Sequence, residues 1–152
     1  MSYLVDTNVV SELRKGQRCN AGVAAWFNGL SAEDIFLSVL TLGEIRKGIE
    51  RIRRRDPKAG GSLEAWFKDL VATHSDRVLG VDSAIAEEWG RLNVPHLLPV
   101  IDGLLAATAM VHGLTLATRN VKDIERSGVD YVNPFTPGPQ GGSLGKSGQS
   151  PP

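Results

Sequence analysis

Five oxygen-bearing side chains stand where this sequence predicts strands to end or helices to begin. They are Asp6, Glu44, Asp102, Asn120 and Asp123. Carboxylate oxygens are the ligands that Mg²⁺ and Mn²⁺ prefer, whereas Cys and His favour softer ions. Carboxylates gathered in one crevice repel by ~4 kcal/mol per close pair at an effective dielectric near 20. A fold keeps such a cluster when protons or cations neutralise it, so convergence of these residues predicts a divalent metal site.

The elements that must position these residues follow from the spacing of apolar side chains. Strands are predicted at 3–5, 34–38, 77–81, 114–118 and 130–132, and helices at 9–16, 21–30, 42–54, 62–73, 83–92, 101–112 and 121–127. The strands are mainly apolar and do not alternate with polar residues, which is typical of a parallel sheet covered on both faces. The pattern therefore predicts an α/β fold with a central, mainly parallel sheet flanked by helices. Pro57 and the pair Gly60-Gly61 are expected to separate the third and fourth helices.

Such a sheet would bring the five residues together. Residues just past the carboxyl ends of parallel strands share one crevice. Asp6 ends the first predicted strand, and Asn120 follows the fourth with Asp123 three residues later. Glu44 lies in the first turns of the helix after the second strand, and Asp102 opens the Ala-rich helix that leads into the fourth. The separations are too wide for a local motif, so only the tertiary fold can make these residues neighbours.

Each of these residues also has a local explanation. Asp6 and Asp102 could cap helices, and Glu44 could be the capping-box partner of Thr41. Asp123 could stabilise the first turn of its helix through the macrodipole. Convergence of the side chains distinguishes the site from these separate local roles.

Composition fits one ordinary domain. The chain has 152 residues, 41% of them hydrophobic, and 17 basic residues balance 17 acidic ones, so no overall charge marks a nucleic-acid binder. Cys19 is the only cysteine, which excludes an intrachain disulfide and fits a reducing cytoplasm. We expect no secretory signal and no membrane span. Residues 1–136 are predicted to form the domain, and the Gly/Ser/Pro-rich segment 137–152 a disordered tail.

One stretch departs from this charge balance. Seven basic residues and only two acidic ones, Glu50 and Asp56, lie between Arg46 and Lys58. A solvated helix face and a phosphate-binding face both explain such a run.

Three segments carry a family resemblance: "LVDTNVVSEL", "LTLGEIRKGIERI" and "DGLLAATAMVHGLTLATRNVKDIERSGVDYVNPF". Together they resemble the PIN-domain family, and more narrowly the VapC- and FitB-type toxins of bacterial toxin–antitoxin pairs. The resemblance covers about residues 3–135 and keeps the order of the segments. It implies a single PIN-like nuclease domain.

The resemblance implies an Mg²⁺- or Mn²⁺-dependent endoribonuclease that cuts single-stranded or loop RNA. Asp6, Glu44 and Asp102 match the three family acids that hold the metal. At the fourth position Asn120 stands where many relatives have Asp, while Asp123 offers a carboxylate one helical turn later, so one metal ion is better supported than two.

Further residues are expected to act beside the acids. By the resemblance, Asn8 and Thr118 orient ligands or water. Arg46 and Lys47, which follow Glu44 in the basic run, and Arg119, which precedes Asn120, are expected to contact RNA because of those positions. The implied partners are a cognate antitoxin and a second copy of the chain, as a homodimer within a larger complex. The antitoxin would lie in a groove that includes exposed parts of Val9-Val10 and Trp26-Phe27, and a basic side chain of it would often reach the acidic pocket.

Two other functions remain open from the sequence. The first is a catalytically weak regulatory protein that acts with a DNA-binding antitoxin, which the Asn120 substitution favours. The second is a phosphotransfer α/β protein, which also places Asp at strand ends around Mg²⁺. A phosphatase of that kind would need Asp-x-Asp after the first strand, whereas this chain has Asp6-Thr7-Asn8.

Overall fold

Five short parallel strands form one sheet through the centre of the molecule. The computed structural model describes residues 1–136. The strands are β1 (Tyr3–Val5), β2 (Ile35–Ser38), β3 (Val78–Leu79), β4 (Thr115–Ala117) and β5 (Tyr131–Val132). Their order is β3-β2-β1-β4-β5, and every neighbouring pair is parallel. The strand order reverses between β1 and β4, which is the position where parallel α/β sheets open a ligand-binding crevice.

Helices cover both faces of this sheet. Within residues 1–136 they are α1 (Thr7–Leu13), α2 (Ala21–Asn28), α3 (Val39–Arg55), α4 (Pro57–Thr73), α5 (Ser83–Leu92), α6 (Val100–His112) and α7 (Val121–Ile124). Alternate side chains of a strand point to opposite faces, and in β1 Leu4 joins the core beneath α6 while Val5 joins the core beneath α1 and α3. The predicted α/β architecture with its covered parallel sheet is confirmed.

Several predicted boundaries are also correct. Helix α5 occupies the predicted range, and α6 ends where Gly113 takes a left-handed backbone with φ of 65°. Helix α3, however, begins three residues before the predicted Leu42, because the Ser38 hydroxyl accepts the Leu40 N–H and caps the helix directly after β2. The capping box predicted for Thr41 and Glu44 does not form, since both residues already lie inside α3.

Pro57 separates α3 from α4 as predicted, but the prediction that Gly60-Gly61 would also interrupt the helices is wrong. Helix α4 starts at Pro57, where the missing N–H costs nothing, and the Asp56 carboxylate caps it by accepting the Ala59 N–H. Gly60 lies within α4 at its contact with α3, and a Cβ there would come within 2.8 Å of the Arg53 Cβ. This glycine therefore permits close helix packing instead of ending a helix.

No helix in the described residues is both long and apolar enough to cross a membrane. The tail predicted at 137–152 lies outside the described residues.

The two glycines make a matched pair for testing the α3–α4 packing. Gly60→Ala should destabilise the fold by about 1–3 kcal/mol, because the new methyl group overpacks the contact with Arg53. Gly61→Ala should stabilise the fold by about 0.5–1 kcal/mol, since the new Cβ would have no neighbouring side chain or other element within 4 Å and alanine favours a helix. Urea unfolding of both variants measures the difference. Equal effects of the two substitutions would contradict the close approach at Gly60.

Candidate active site

Asp6 lies at the junction of β1 and α1 and is only 4% exposed. Its N–H donates to the Ala117 carbonyl at 2.9 Å, which extends the β1–β4 pairing by one residue. Its Oδ1 accepts the Thr7 N–H at 2.7 Å. Asp6 therefore does cap α1, which was the local explanation offered for it. That cap uses one oxygen and leaves Oδ2 for other contacts.

The second oxygen of Asp6 is held by residues from two elements. Asp6 Oδ2 accepts the Thr118 hydroxyl at 2.7 Å and the Asn8 side-chain N–H at 3.2 Å. Thr118 is 1% exposed and in turn accepts the Asn120 N–H at 3.0 Å. Asn8 accepts the Arg119 N–H at 3.2 Å. Asn8 and Thr118 therefore lie beside Asp6, where the resemblance implied they would be, and they fix its carboxylate across the β1–β4 switch point.

Thr7 connects Asp6 with Glu44, a contact that the sequence analysis missed. The Thr7 hydroxyl donates to Glu44 Oε1 at 2.6 Å, while its N–H donates to Asp6. Glu44 is thereby joined to the end of β1 although it lies on α3. In the sequence, the only sign that Thr7 belongs to the site is its position between Asp6 and Asn8.

Asp102 completes the convergence from the first turn of α6. The pKa of Asp102 is raised to about 6, chiefly because burial disfavours its charged form, and next because of the negative charge of Asp6. Asp123 and Glu44 add smaller repulsions, and a hydrogen bond from the Asn120 side chain opposes them. Asp102 does not cap its helix, because Pro99 occupies the N-cap position.

The pKa of Asp6 is raised in the same direction. Burial is the largest cause, and the charge of Glu44 contributes, while the hydrogen bonds from Thr118, Thr7 and Asn8 oppose both. The predicted acids thus form one electrostatic unit. Asn120 and Asp123 both act on Asp102, Asn120 through a hydrogen bond and Asp123 through its charge, so the structure brings both candidates for the fourth position to the site.

The donor atoms at this crevice suit a hard divalent cation. Across residues 1–136, no three Asp, Glu, His or Cys side chains are gathered tightly enough to surround an ion by themselves. Mg²⁺ is usually held by only one or two carboxylates, and water completes its coordination. Asp6 and Asp102 fit that requirement, because they are partly desolvated carboxylates whose mutual repulsion a cation would relieve.

The three predicted RNA contacts differ in their surroundings. Arg46 makes two bonds to Glu64, of 2.6 and 2.7 Å, and lies 5.1 Å from the centre of the Phe67 ring. Its guanidinium joins α3 to α4 through Glu64, so Arg46 has a structural partner, and its contact with RNA stays a prediction. Lys47 and Arg119 are exposed.

Comparisons with known proteins agree with this geometry. Residues 3–127 match the family described as the PIN domain. The chain is 31% identical over 141 residues to VapC ribonuclease Y4jK of Sinorhizobium fredii, covering 88% of this chain and 98% of that protein. It is 31% identical over 137 residues to toxin FitB of Neisseria gonorrhoeae, covering 87% and 97%. The crystal structure of FitAcB from Neisseria gonorrhoeae matches with a TM-score of 0.81 at 30% identity, covering 89% of this chain and 99% of that chain.

The proximity of the carboxylates can be tested by titration of the metal-free protein. Carbonyl-detected NMR should give Asp102 a pKa near 6. Asp6→Asn should lower that pKa because it removes a neighbouring charge, and Asn120→Ala should raise it because a hydrogen bond to the carboxylate is lost. Asp34 is an internal control, since hydrogen bonds from Ser31 hold the pKa of its carboxyl below the ordinary value, away from the crevice. An Asp102 pKa that does not respond to Asp6→Asn would contradict the shared crevice.

Proposed function

This chain belongs to the PIN domain family, and from that premise we propose that it is a metal-dependent endoribonuclease, the toxin of a toxin–antitoxin pair. The observation that carries the proposal is the convergence of Asp6, Glu44 and Asp102 beside the β1–β4 switch point. The names of its relatives, among them VapC ribonucleases and toxin FitB, support both the ribonuclease activity and the toxin role. Membership in the family also sets aside the phosphotransfer alternative.

Asp6 and Asp102 would hold Mg²⁺ or Mn²⁺. Glu44, which is joined to Asp6 through Thr7, would face the same ion across a bound water, because the three carboxylates do not close around a single point. An ion at this position supplies Lewis-acid activation of water and offsets negative charge at the scissile phosphate. The chain's own contribution is orientation, because Thr118, Thr7 and Asn8 fix the Asp6 oxygens through hydrogen bonds. Protons compete for the same oxygens, so activity should decline as the pH falls below about 6, where Asp102 becomes protonated.

Lys47 and Arg119 are the other candidates for RNA contact near the crevice. Arg119 directly precedes Asn120, and its guanidinium lies 4.7 Å from the centre of the Phe135 ring. An exposed guanidinium supported on an aromatic ring can bind a phosphate or stack on an unpaired base.

A large apolar groove supports an antitoxin partner. It has a volume of about 560 Å³ and is lined mainly by α1, α2, α4 and the sheet, including Val10, Leu13, Phe27, Trp66 and Leu70. A smaller groove of about 120 Å³ shares Trp66 with it and passes Thr7 and Glu44. An apolar antitoxin helix fits the large groove, and a basic side chain would reach the acids through the small one. The structure of FitAcB, to which this fold is similar, supports such a complex.

The residues first expected in this groove are partly corrected. Val9 is completely buried and belongs to the core, while Val10 lines the groove but is itself almost fully buried. Phe27 is 39% exposed and lines the groove as predicted. Trp26 packs edge-on against Tyr3, with ring centres 5.2 Å apart.

An exposed apolar segment between α5 and α6 supports the proposed homodimer. Leu97 is 88% exposed, and Val94 and Val100 are also largely exposed. Apolar side chains clustered on a surface mark an interaction site. This segment leads directly into α6 and Asp102, so a second copy bound there would lie close to the active site.

The second candidate is a catalytically weak protein that regulates through a DNA-binding antitoxin. The amide of Asn120 at the fourth position favours it. A structure of FitAB bound to an IR36 DNA fragment, similar in fold with 29% identity and a TM-score of 0.81, shows that a related complex binds DNA. Activity of the isolated chain distinguishes this candidate from the nuclease.

A nuclease assay on the partner-free protein decides between them. Mn²⁺ should permit cleavage of structured RNAs and EDTA should abolish it. Asp6→Asn should reduce the rate by at least ~10²-fold, because one of the carboxylates that would hold the metal ion loses its charge. Thr118→Val should weaken Mn²⁺ binding by ~10–100-fold, because the hydroxyl that orients Asp6 is removed.

Asp34→Asn is the matched control, since Asp34 precedes β2 at the amino ends of the parallel strands, whereas the crevice lies at their carboxyl ends. Asn120→Ala and Asp123→Asn, compared in the same assay, show which residue fills the fourth position. Cleavage that persists in EDTA, or an Asp6→Asn variant as active as the wild type, would refute the proposed mechanism. Complete inactivity of the wild type with Mn²⁺ would favour the regulatory candidate.

A further inference from the structure

The turn between α3 and α4 carries four basic side chains that the rest of the hairpin leaves unpaired. We name Arg51, Arg54, Arg55 and Lys58 the hairpin-tip cluster. All four are exposed. In the part of the chain that the structure describes, none of them forms an ion pair or a side-chain hydrogen bond. The basic run of the sequence therefore has a paired part, Arg46 and Arg53, and a free part, which is the hairpin-tip cluster.

The paired part has a structural role. Arg46 and Arg53 both bind Glu64, at 2.6 and 2.9 Å, and both also approach Glu50. These contacts hold the pKa of Glu64 down to about 2. The nearest acidic residue to the cluster, Asp56, uses its carboxylate to cap α4. The acids of the hairpin are thus engaged away from the cluster, which remains strongly positive.

Helix stability explains only half of the hairpin-tip cluster. Basic residues near the end of α3 favour its macrodipole, which accounts for Arg54 and Arg55. Lys58, however, lies in the first turn of α4, where a positive charge opposes the macrodipole. Arg51 lies three and four residues from Arg54 and Arg55, a spacing at which like charges repel. The placement of Lys58 and Arg51 therefore costs the free chain stability, which a polyanionic ligand would recover.

The position of the hairpin-tip cluster relative to the acids suggests that the polyanion is the RNA substrate. Helix α3 carries Glu44 near one end and the cluster at the other. Glu44 and Arg54 are ten residues apart, which is about 15 Å along a helix. That distance exceeds the spacing between neighbouring phosphates of a nucleic-acid strand, so an RNA held at the acids would meet the cluster with phosphates further along its backbone.

We propose that the hairpin-tip cluster binds the phosphate backbone of a structured RNA substrate, several nucleotides from the bond that is cut. This inference rests on the proposed ribonuclease function and names a substrate-binding surface outside the catalytic crevice. Guanidinium groups bind phosphate oxygens in pairs. The cluster contains no aromatic side chain on which a base could stack, so it contributes affinity for extended RNA without choosing the sequence.

The test compares two double variants that lose the same charge. Arg54→Gln with Arg55→Gln removes half of the cluster, and glutamine keeps a helix propensity similar to that of arginine. Lys68→Gln with Arg91→Gln is the control, on the exposed surfaces of α4 and α5. A fluorescein-labelled RNA stem-loop is the probe, and its binding is measured in EDTA over a range of salt concentrations, so that binding needs no catalysis.

The cluster variant should bind the stem-loop more weakly, and the magnitude of the slope of log K against log salt should fall by about 1.5. The control variant should keep the wild-type slope. With Mn²⁺, the cluster variant should still cleave an oligonucleotide too short to reach the tip as fast as the wild type does. These three results together support the surface.

An unchanged slope in the cluster variant, or an equal loss in the control, would overturn the proposal. So would a loss of antitoxin affinity with unchanged RNA binding, because the tip would then be a protein contact. If the wild type fails to cleave any RNA although the cluster variant loses its salt slope, the nuclease function is refuted while the RNA-binding surface stands.

Discussion

The hydrogen bond between the Thr118 hydroxyl and Asp6 Oδ2 joins residues that are 112 positions apart, and the site depends on it. It spans the gap between β1 and β4, next to the bond from the Asp6 N–H to the Ala117 carbonyl. The strand order reverses at this gap, so no helix crosses it and the carboxylate can face an open crevice. The parallel pairing of β1 with β4 is therefore both the centre of the core and the foundation of the site.

The crevice lowers the stability of the fold that builds it. Burial and mutual repulsion raise the pKa of Asp102 to about 6 and also raise the pKa of Asp6. Because the folded state of Asp102 binds its proton more tightly than the unfolded state, stability from this group falls as the pH rises from about 4 to about 6. Thr7, Asn8 and Thr118 offset part of this cost through hydrogen bonds to Asp6. A divalent cation bound between the carboxylates would remove much of the repulsion that remains.

Local patterns predicted the strands, most helix bounds and the convergence of the acids, because apolar spacing defines elements and a parallel sheet aligns their carboxyl ends. The Thr7–Glu44 bond, the packing of Gly60 on Arg53 and the pairing of Arg46 with Glu64 were not predicted. Each depends on how two helices, or a helix and a strand, lie against one another, and single-element periodicity carries no information about that. The sequence showed seven basic residues as one run, and only the fold separates those that join α3 to α4 from those at the tip.

The central claim is that side chains from three distant segments meet to hold one divalent ion. Crystals of the protein soaked in Mn²⁺ and measured at the manganese absorption edge test it most directly. We expect an anomalous peak within bonding distance of both Asp6 and Asp102, absent from Asp6→Asn crystals treated in the same way. A peak elsewhere, or no peak at these two carboxylates under saturating Mn²⁺, would contradict it.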